Sequence, residues 1–423
     1  MPAPIRLVHF ADLHVGMENY GKLDPATGTS SRVRDFLDRL DEVIEYALAH
    51  EADLVIFAGD AFKTRDPEPT QQREFARRLK RLADRVPTLL LVGNHDLPGS
   101  TQKATSVDIF RALEVPNIIV GHKPESRVVE TARGPVFLAW VPYPTRNRLL
   151  SDEEHRGKSV EELDQALRAA VIDTLDELAQ AAGATDMPRV LAGHFSVGEA
   201  RYGSERSVML GRDVSVSRST LAAPAWDYIA LGHIHRHQVL AGNAPLGDRV
   251  RAPGEPILAY CGSLERIDFG EEKEAKGFCW VELARGATRM TFVPVHARPF
   301  ITLRADLQEA DDPTAHAVFS LAARADEVAG AVVRAIVTLR HDQLAQFDAR
   351  EVERVLAAAS HLSIEKDITS PVRARLGSDA AESLTPRELL ERYFALRSTP
   401  PERQARLLAT AEALLESDSA AGS

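Results

Sequence analysis

The sequence predicts an α/β fold built around a parallel sheet. Three observations carry this: short apolar runs of strand-like composition, amphipathic helical segments between them, and a polar motif closing each run. Such a βαβαβ alternation demands helices on both faces, because parallel strands are buried on both sides. Ile5–Phe10 reads as the first strand and leads to Asp12. From Ser31 to His50 the residues Phe36, Leu37, Leu40, Val43, Ile44, Ala47 and Leu48 recur at steps of three and four, the stripe of an amphipathic helix. Leu54–Ala58 reads as a buried strand closed by Gly59-Asp60. Pro69–Ala83 reads as a helix with Phe75, Leu79 and Leu82 on one face, and Thr88–Val92 as a strand closed by Gly93-Asn94.

Further along, Thr105–Leu113 reads as a short helix, Asn117–Val120, Arg127–Glu130 and Pro135–Val141 as strands, and Val160–Ala182 as a long helix. Val190–Ala192 and Tyr228–Leu231 are strands feeding two more polar motifs. Ala259–Gly262 and Gly277–Leu283 read as strands closing a second sheet, so the first domain is expected over residues 1–295. Residues 296–370 change character. Phe300-Ile301-Thr302-Leu303, a helix over Thr314–Ala325, the strand Val332–Leu339 and a helix over Asp348–Ala359 describe a small α+β unit. Beyond a break at Pro371 lies the last region, 371–423. There Leu384–Leu415 gives two short helices split by Thr399-Pro400-Pro401, and Ser417–Ser423 reads as a disordered tail. A chain of 423 residues exceeds one ordinary core, in keeping with this division.

Composition sets outer limits. With 44% hydrophobic and 27% charged residues the chain is of ordinary globular type. Met1–Phe10 has no long apolar stretch, against a signal peptide, and no run approaches the roughly eighteen apolar residues of a membrane span. Cys261 and Cys279 read as free thiols in a reducing cytoplasm. The net charge of −11 argues against wholesale wrapping of DNA. It leaves a nuclease open, because bound divalent ions reverse the charge where a phosphate sits.

Five segments carry chemistry: Asp12-Leu13-His14, Gly59-Asp60, Gly93-Asn94-His95-Asp96, Gly193-His194 and Gly232-His233-Ile234-His235. Each follows a predicted strand, and open α/β sheets bind ligands at the carboxyl ends of their strands. In extended backbone, side chains two apart point the same way, so Asp12 and His14 can grip one ion, as can His233 and His235. Glycines 59, 93, 193 and 232 let the chain turn sharply there. The candidate ligands Asp12, His14, Asp60, Asn94, His194, His233 and His235 mix oxygen with imidazole. That mixture suits Mn²⁺, Fe²⁺ or Zn²⁺ better than Ca²⁺ or Mg²⁺, and the lack of thiolates argues against a structural zinc. Singly these motifs are weak, since Gly-Asp is a common turn and Asp-x-His is noise. Their ordered conjunction carries the inference. Two ions about 3.5–4 Å apart would activate water and clamp an in-line displacement at phosphorus.

The five motifs in this order resemble the calcineurin-like metallophosphoesterase superfamily. Within it, Phe10-Ala11-Asp12-Leu13-His14, Gly203-Ser204-Glu205-Arg206-Ser207 and Tyr260-Cys261-Gly262-Ser263 are most similar to the SbcD family, the bacterial form of the Mre-eleven double-strand-break repair nucleases. The resemblance is good over about residues 4–300 and looser beyond. It implies a four-layer sandwich, two mixed β-sheets flanked by helices, with a small α+β capping domain that binds DNA and a C-terminal helical arm. It implies one ion on Asp12, His14, Asp60 and His235, and a second on Asp60, Asn94, His194 and His233, Asp60 bridging, with Mn²⁺ the expected metal. His95 would approach the phosphate and leaving group, with Asp96 orienting it. On chemical grounds His95 could stabilise developing charge or protonate the leaving 3′ oxygen; the alternative is that it only orients a ligand. The resemblance further implies a homodimer, DNA as substrate, and an SbcC-like ABC ATPase docked on the helices at about 384–415, whose stripes include Leu389, Leu390, Tyr393, Phe394, Leu407, Leu408, Ala411 and Leu414.

Some features stay open. Lys63 stands where many relatives carry His or Asp; it reads equally as a phosphate contact and as a solvated loop residue. Arg201, Arg206, Arg212 and Arg218 could line a DNA path, or form a solvated loop balanced by Glu199, Glu205 and Asp213. Three functions compete: a DNA exonuclease subunit, with endonuclease activity in its range, acting in break repair and recombination; a general phosphodiesterase or phosphatase on small substrates; and a DNA-end-binding scaffold without catalysis. The region 298–423 speaks against the second, and the complete ligand set with His95 against the third.

Overall fold

A computed structural model describes residues 3–421 except 27, 99–102, 147–157, 204–212, 222–223, 241–248, 251–254, 370–384 and 397–398. The chain divides into two units, Met1–Phe300 and Ile301–Ser423.

In the first unit the described strands form two large sheets. The seven-stranded sheet runs Arg249–Val250, Arg289–Pro294, Gly277–Leu283, Ile5–Phe10, Leu54–Phe57, Thr88–Leu91, Ile118–Gly121. Its last four strands are parallel, as the βαβαβ pattern requires. The six-stranded sheet runs Gln238–Val239, Ile257–Tyr260, Tyr228–Gly232, Arg189–His194, Gly134–Val141, Glu125–Thr131, also mixed in direction. One strand sits elsewhere than expected. Gly277–Leu283 pairs antiparallel with Ile5–Phe10 and so belongs to the first sheet, not the second. Composition marks a strand but not which of two sheet edges receives it. The register, Leu7 opposite Val281 and His9 opposite Cys279, places it.

Period-two alternation builds the layers. Ile5 and Leu7, with Leu54, Ile56, Leu138, Val190, Tyr228 and Val281, form a largely apolar layer between the sheets. Val8, Phe10, Val55 and Phe57 point the other way, onto the helices Ser31–Ala49 and Pro69–Ala83. Ile229, Leu231 and Leu191 of the second sheet pack outward on Val160–Gly183 through Leu167, Val171 and Leu175. The result is helix, sheet, sheet, helix. Local signals start these helices: the Ser30 hydroxyl accepts from the Arg32 amide, Pro69 opens the second helix, and Ser159 with Glu162 forms a capping box on the third.

The second unit holds a three-stranded sheet in the order Phe300–Asp306, Val332–Arg340, His361–Thr369, covered by the helices Pro313–Ala322 and Ala349–Val355 around Leu303, Leu321, Val337 and Val352. The strand His361–Thr369 is not among the expected elements, and the preceding helix stops at Val355, short of Ala359. Leu362 and Ile364 alternate toward the core, a weak strand signal hidden behind polar neighbours. Two further helices span Pro386–Leu396 and Pro401–Ala421. The last one continues through residues 417–421, where a disordered tail is expected. Lengthening an existing helix is far cheaper than nucleating one. The expected break at Pro371 lies outside the described residues.

Candidate metal centre

All seven candidate ligands converge where the two sheets meet. The loops after Ile5–Phe10 and Leu54–Phe57 are zipped together: the Asp12 amide donates to the Gly59 carbonyl (3.0 Å), and the Leu13 and His14 amides donate to the Asp60 carbonyl (3.0 and 3.1 Å). Among the bonds that tie the second sheet on, two lie at the ligand loops. The His233 amide donates to the Asp12 carboxylate (3.0 and 3.1 Å), and His194 Nδ1 donates to the Ala58 carbonyl (2.6 Å).

The backbone departs from expectation here. Asp12, His14, Asp60 and His233 have φ of 52°, 49°, 59° and 94°, the left-handed region rather than extended strand. Such residues persist only where the surroundings over-determine them, and they cluster at functional sites. Gly59 (φ 101°) meets both demands on a glycine, since a Cβ there would also lie 2.3 Å from His194 Nδ1. Gly93 is needed for space alone: its Cβ would sit 2.1 Å from Asp60 Oδ1.

The side chains fall into two groups around Asp60. In one, His14 Nε2 lies 3.0 Å from His235 Nε2 and 3.8 Å from Asp60 Oδ2, with Asp12 beside them. In the other, Asn94 Oδ1 lies 3.1 Å from His194 Nε2 and 3.0 Å from His233 Nδ1, and His194 Nε2 lies 3.4 Å from Asp60 Oδ2. Asp12, Asp60 and His194 also converge within 4.8 Å, as do His14, Asp60 and His95. Burial pushes the Asp12 carboxyl up. Burial acts the same way on Asp60, but His194, His95 and His14 overrule it and hold Asp60 well below the usual carboxylate range. The charged His194 ring is likewise opposed by burial and restored by Asp60, which raises it to about 9. Two buried carboxylates among neutral-capable imidazoles and an amide oxygen form a donor set that divalent cations fit, and buried charge of this kind calls for a paired cation.

Two of the rings are held from behind by a carboxylate. His235 Nδ1 donates to Glu271 Oε1 (2.8 Å), and His233 Nε2 to Asp213 Oδ2 (2.8 Å). Metal-ligating imidazoles are characteristically oriented in this way. Asp213 also accepts from Ser196 Oγ and from the Tyr143 hydroxyl, and these contacts with His233 keep its carboxyl low despite burial. It is therefore not the solvated acid of a surface loop. Arg206 and Arg212 of that segment lie outside the described residues, and the Arg218 side chain reaches Glu255 (3.4 Å). Asp213, Glu271 and Tyr143 escape sequence reasoning because no spacing marks them; each acts only through a distant partner.

His95 sits half-buried at the rim, and its Nδ1 donates to the Lys63 carbonyl (2.7 Å). That contact, not Asp96, orients the ring. The Asp96 carboxylate is turned to the amides of Asp60 (2.9 Å), Ala61 (3.1 Å) and Gly93 (3.0 Å) and to Ser106 Oγ (2.9 Å). Asp96 thus fixes the loop that carries Asp60. Cys261 and Cys279 are both free and buried. His237 donates from Nδ1 to the Tyr260 carbonyl (2.8 Å) and stacks on Phe292.

This fold and donor set define a metallophosphoesterase. Residues 5–237 match the family model of the calcineurin-like phosphoesterases, and the chain belongs to that family. It is a metal-dependent hydrolase acting on phosphoesters. Among curated relatives it is similar to the SbcD component of the SbcCD nuclease of Bacillus subtilis, 28% identical over 288 residues that span 66% of this chain and 69% of the relative. The SbcD component of the SbcCD nuclease of Escherichia coli K12 is 26% identical over 314 residues, 72% of each chain. The DNA double-strand break repair protein Mre11 of Haloferax volcanii is 24% identical over 306 residues, 71% of this chain and 55% of that one. Among the described residues no helix is long and apolar enough to cross a membrane.

Proposed function

We propose that this chain is the nuclease component of a DNA end-processing complex, a Mn²⁺-dependent exonuclease acting in break repair and recombination. The observation that carries the reading is the pair of donor groups sharing Asp60, with His95 at the rim beside them. Asp12, His14, Asp60 and His235 would hold one ion; Asp60, Asn94, His194 and His233 the other. Bound there, the ions supply activated water and charge compensation for displacement at phosphorus. His95, with its Nδ1 proton committed to Lys63, has Nε2 left to donate to the leaving 3′ oxygen when the ring is protonated. Asp96 keeps Asp60 in place rather than handling protons.

We further propose DNA as substrate, an SbcC-like ABC ATPase as partner and a homodimeric, cytoplasmic assembly; the relatives' names, a nuclease subunit and a DNA double-strand break repair protein, support the substrate and a complex, and the apolar residues of the two C-terminal helices, which include Leu389, Leu390 and Leu407, support a docked partner. We assign residues 1–295 to catalysis, 296–370 to a DNA-facing cap and 371–423 to the partner arm. The test is degradation of linear duplex DNA by the full chain with Mn²⁺, with and without the ATPase. Activity is expected to fall about 10²–10⁴-fold in His95→Ala while metal uptake is retained. A chain ending at Ser370 should keep hydrolysis of a chromogenic phosphodiester and lose stimulation by the ATPase. Hydrolysis of the chromogenic ester with no action on DNA, even with the ATPase present, would sink the nuclease reading.

A further inference from the structure

Behind His235 lies a group of charges that the phosphoesterase chemistry does not itself require. Glu271 and Lys276 are both completely buried, their side chains 0% exposed. Lys276 Nζ reaches Glu271 Oε2 (2.8 Å), Glu274 Oε2 (3.0 Å) and Ser263 Oγ (2.9 Å), and it also donates to the main-chain carbonyl of His235 (3.1 Å). Glu271 Oε1 accepts the hydrogen bond from His235 Nδ1–H, and its Oε2 also accepts from the Ile267 amide (3.1 Å). One lysine therefore grips both the ring's acceptor and the backbone that carries the ring.

Stability alone does not call for this arrangement. A buried ion pair is commonly no better than well-packed apolar residues of the same volume, because both charges must leave water. What the pair provides is geometry and tautomer. With Nδ1–H committed to Glu271, the Nε2 lone pair of His235 is the one presented beside His14 and Asp12. Among the described residues the other donor group shows no such lysine: His233 is backed by Asp213, held by a serine and a tyrosine.

We infer that Glu271, anchored by Lys276, is a positioning residue that sets the affinity of the His235 ion position separately from that of the His233 position. The inference rests on the ligand assignment proposed above. Its consequence is asymmetry: damage to Glu271 empties one position and leaves the other filled.

The test is titration of metal-stripped full chain with Mn²⁺, read by calorimetry and by electron paramagnetic resonance. The wild type should take up two ions with the spectrum of a spin-coupled pair. Glu271→Ala should weaken one equivalent by about 10–100-fold and give an isolated-ion spectrum at the remaining tight site. Glu271→Gln, whose carbonyl still accepts from Nδ1, should recover most of the affinity; a general packing defect would not be rescued in this way. Lys276→Met, which loosens the anchor without touching the ring, should weaken the same equivalent by a smaller factor, and it carries the test should Glu271→Ala fail to fold. Two ions bound with a wild-type spectrum in Glu271→Ala or in Lys276→Met, or equal weakening of both equivalents, would overturn the inference alone. A wild type that takes up no Mn²⁺ would overturn the ligand assignment and the inference with it.

Discussion

The two sheets of the first unit contribute different chemistry. The seven-stranded sheet supplies every candidate oxygen ligand, Asp12, Asp60 and Asn94, together with His14 and the rim residue His95. The six-stranded sheet supplies only imidazoles: His194, His233 and His235. Neither sheet holds a site alone. The centre exists because a largely apolar layer sets the gap between them and hydrogen bonds, His233 to Asp12 and His194 to Ala58 among them, pin their edges.

The largest effect that probes this contrast is removal of the shared oxygen. Asp60→Asn preserves shape and tolerates the left-handed backbone, yet loses the charge common to both donor groups. Phosphodiesterase activity is expected to fall roughly 10³-fold or more with the melting temperature little changed. A loss under tenfold would mean that the charge shared by the two donor groups is not needed. Next comes the gap itself. Leu138→Ala, in the layer between the sheets, should cost about 2–5 kcal/mol in urea unfolding. If packing sets the gap, the protein that remains folded should also bind Mn²⁺ less tightly; unchanged uptake would assign the spacing to the hydrogen bonds between the sheets instead.

The smallest effect concerns His9, a polar residue inside that same layer. Its Nδ1 shares a hydrogen bond with the Tyr228 hydroxyl (2.8 Å), while burial, helped by His237, holds the ring down at about 3. The unfolded chain takes up this proton near pH 6.5, and the folded chain only near 3. Stability is therefore fully present above about 6.5 and is lost as pH falls from there toward 3, by about 1.4 kcal/mol per unit at most. Chemical denaturation between pH 7.5 and 5.5 should show a shallower decline for His9→Gln than for the wild type. Equal slopes would remove His9 from the acid response.

Much of this was legible in the sequence because the ligands follow strands whose apolar runs are unmistakable. Leu54–Phe57 and Thr88–Leu91 are each followed, two residues on, by a glycine and then a ligand, and the helix Pro69–Ala83 follows from its proline start and apolar stripe. The remainder depends on contacts across the fold. No local pattern tells Gly277–Leu283 to join Ile5–Phe10, or turns the Asp96 carboxylate from its neighbour His95 toward the Asp60 loop. Nor does any spacing single out Glu271, 36 residues from the ring it supports, among the acids around it.

The left-handed backbone at Asp12, His14, Asp60 and His233 has a consequence for ancestry. Glycine occupies that region at no steric cost, whereas aspartate and histidine pay some strain there, so selection for the reaction is what favours them over glycine. In a lineage released from that selection, these four positions drift first and in a known direction. A relative that keeps the sandwich but has abandoned the chemistry would carry its record as glycines at those turns, legible long before the core shows any change.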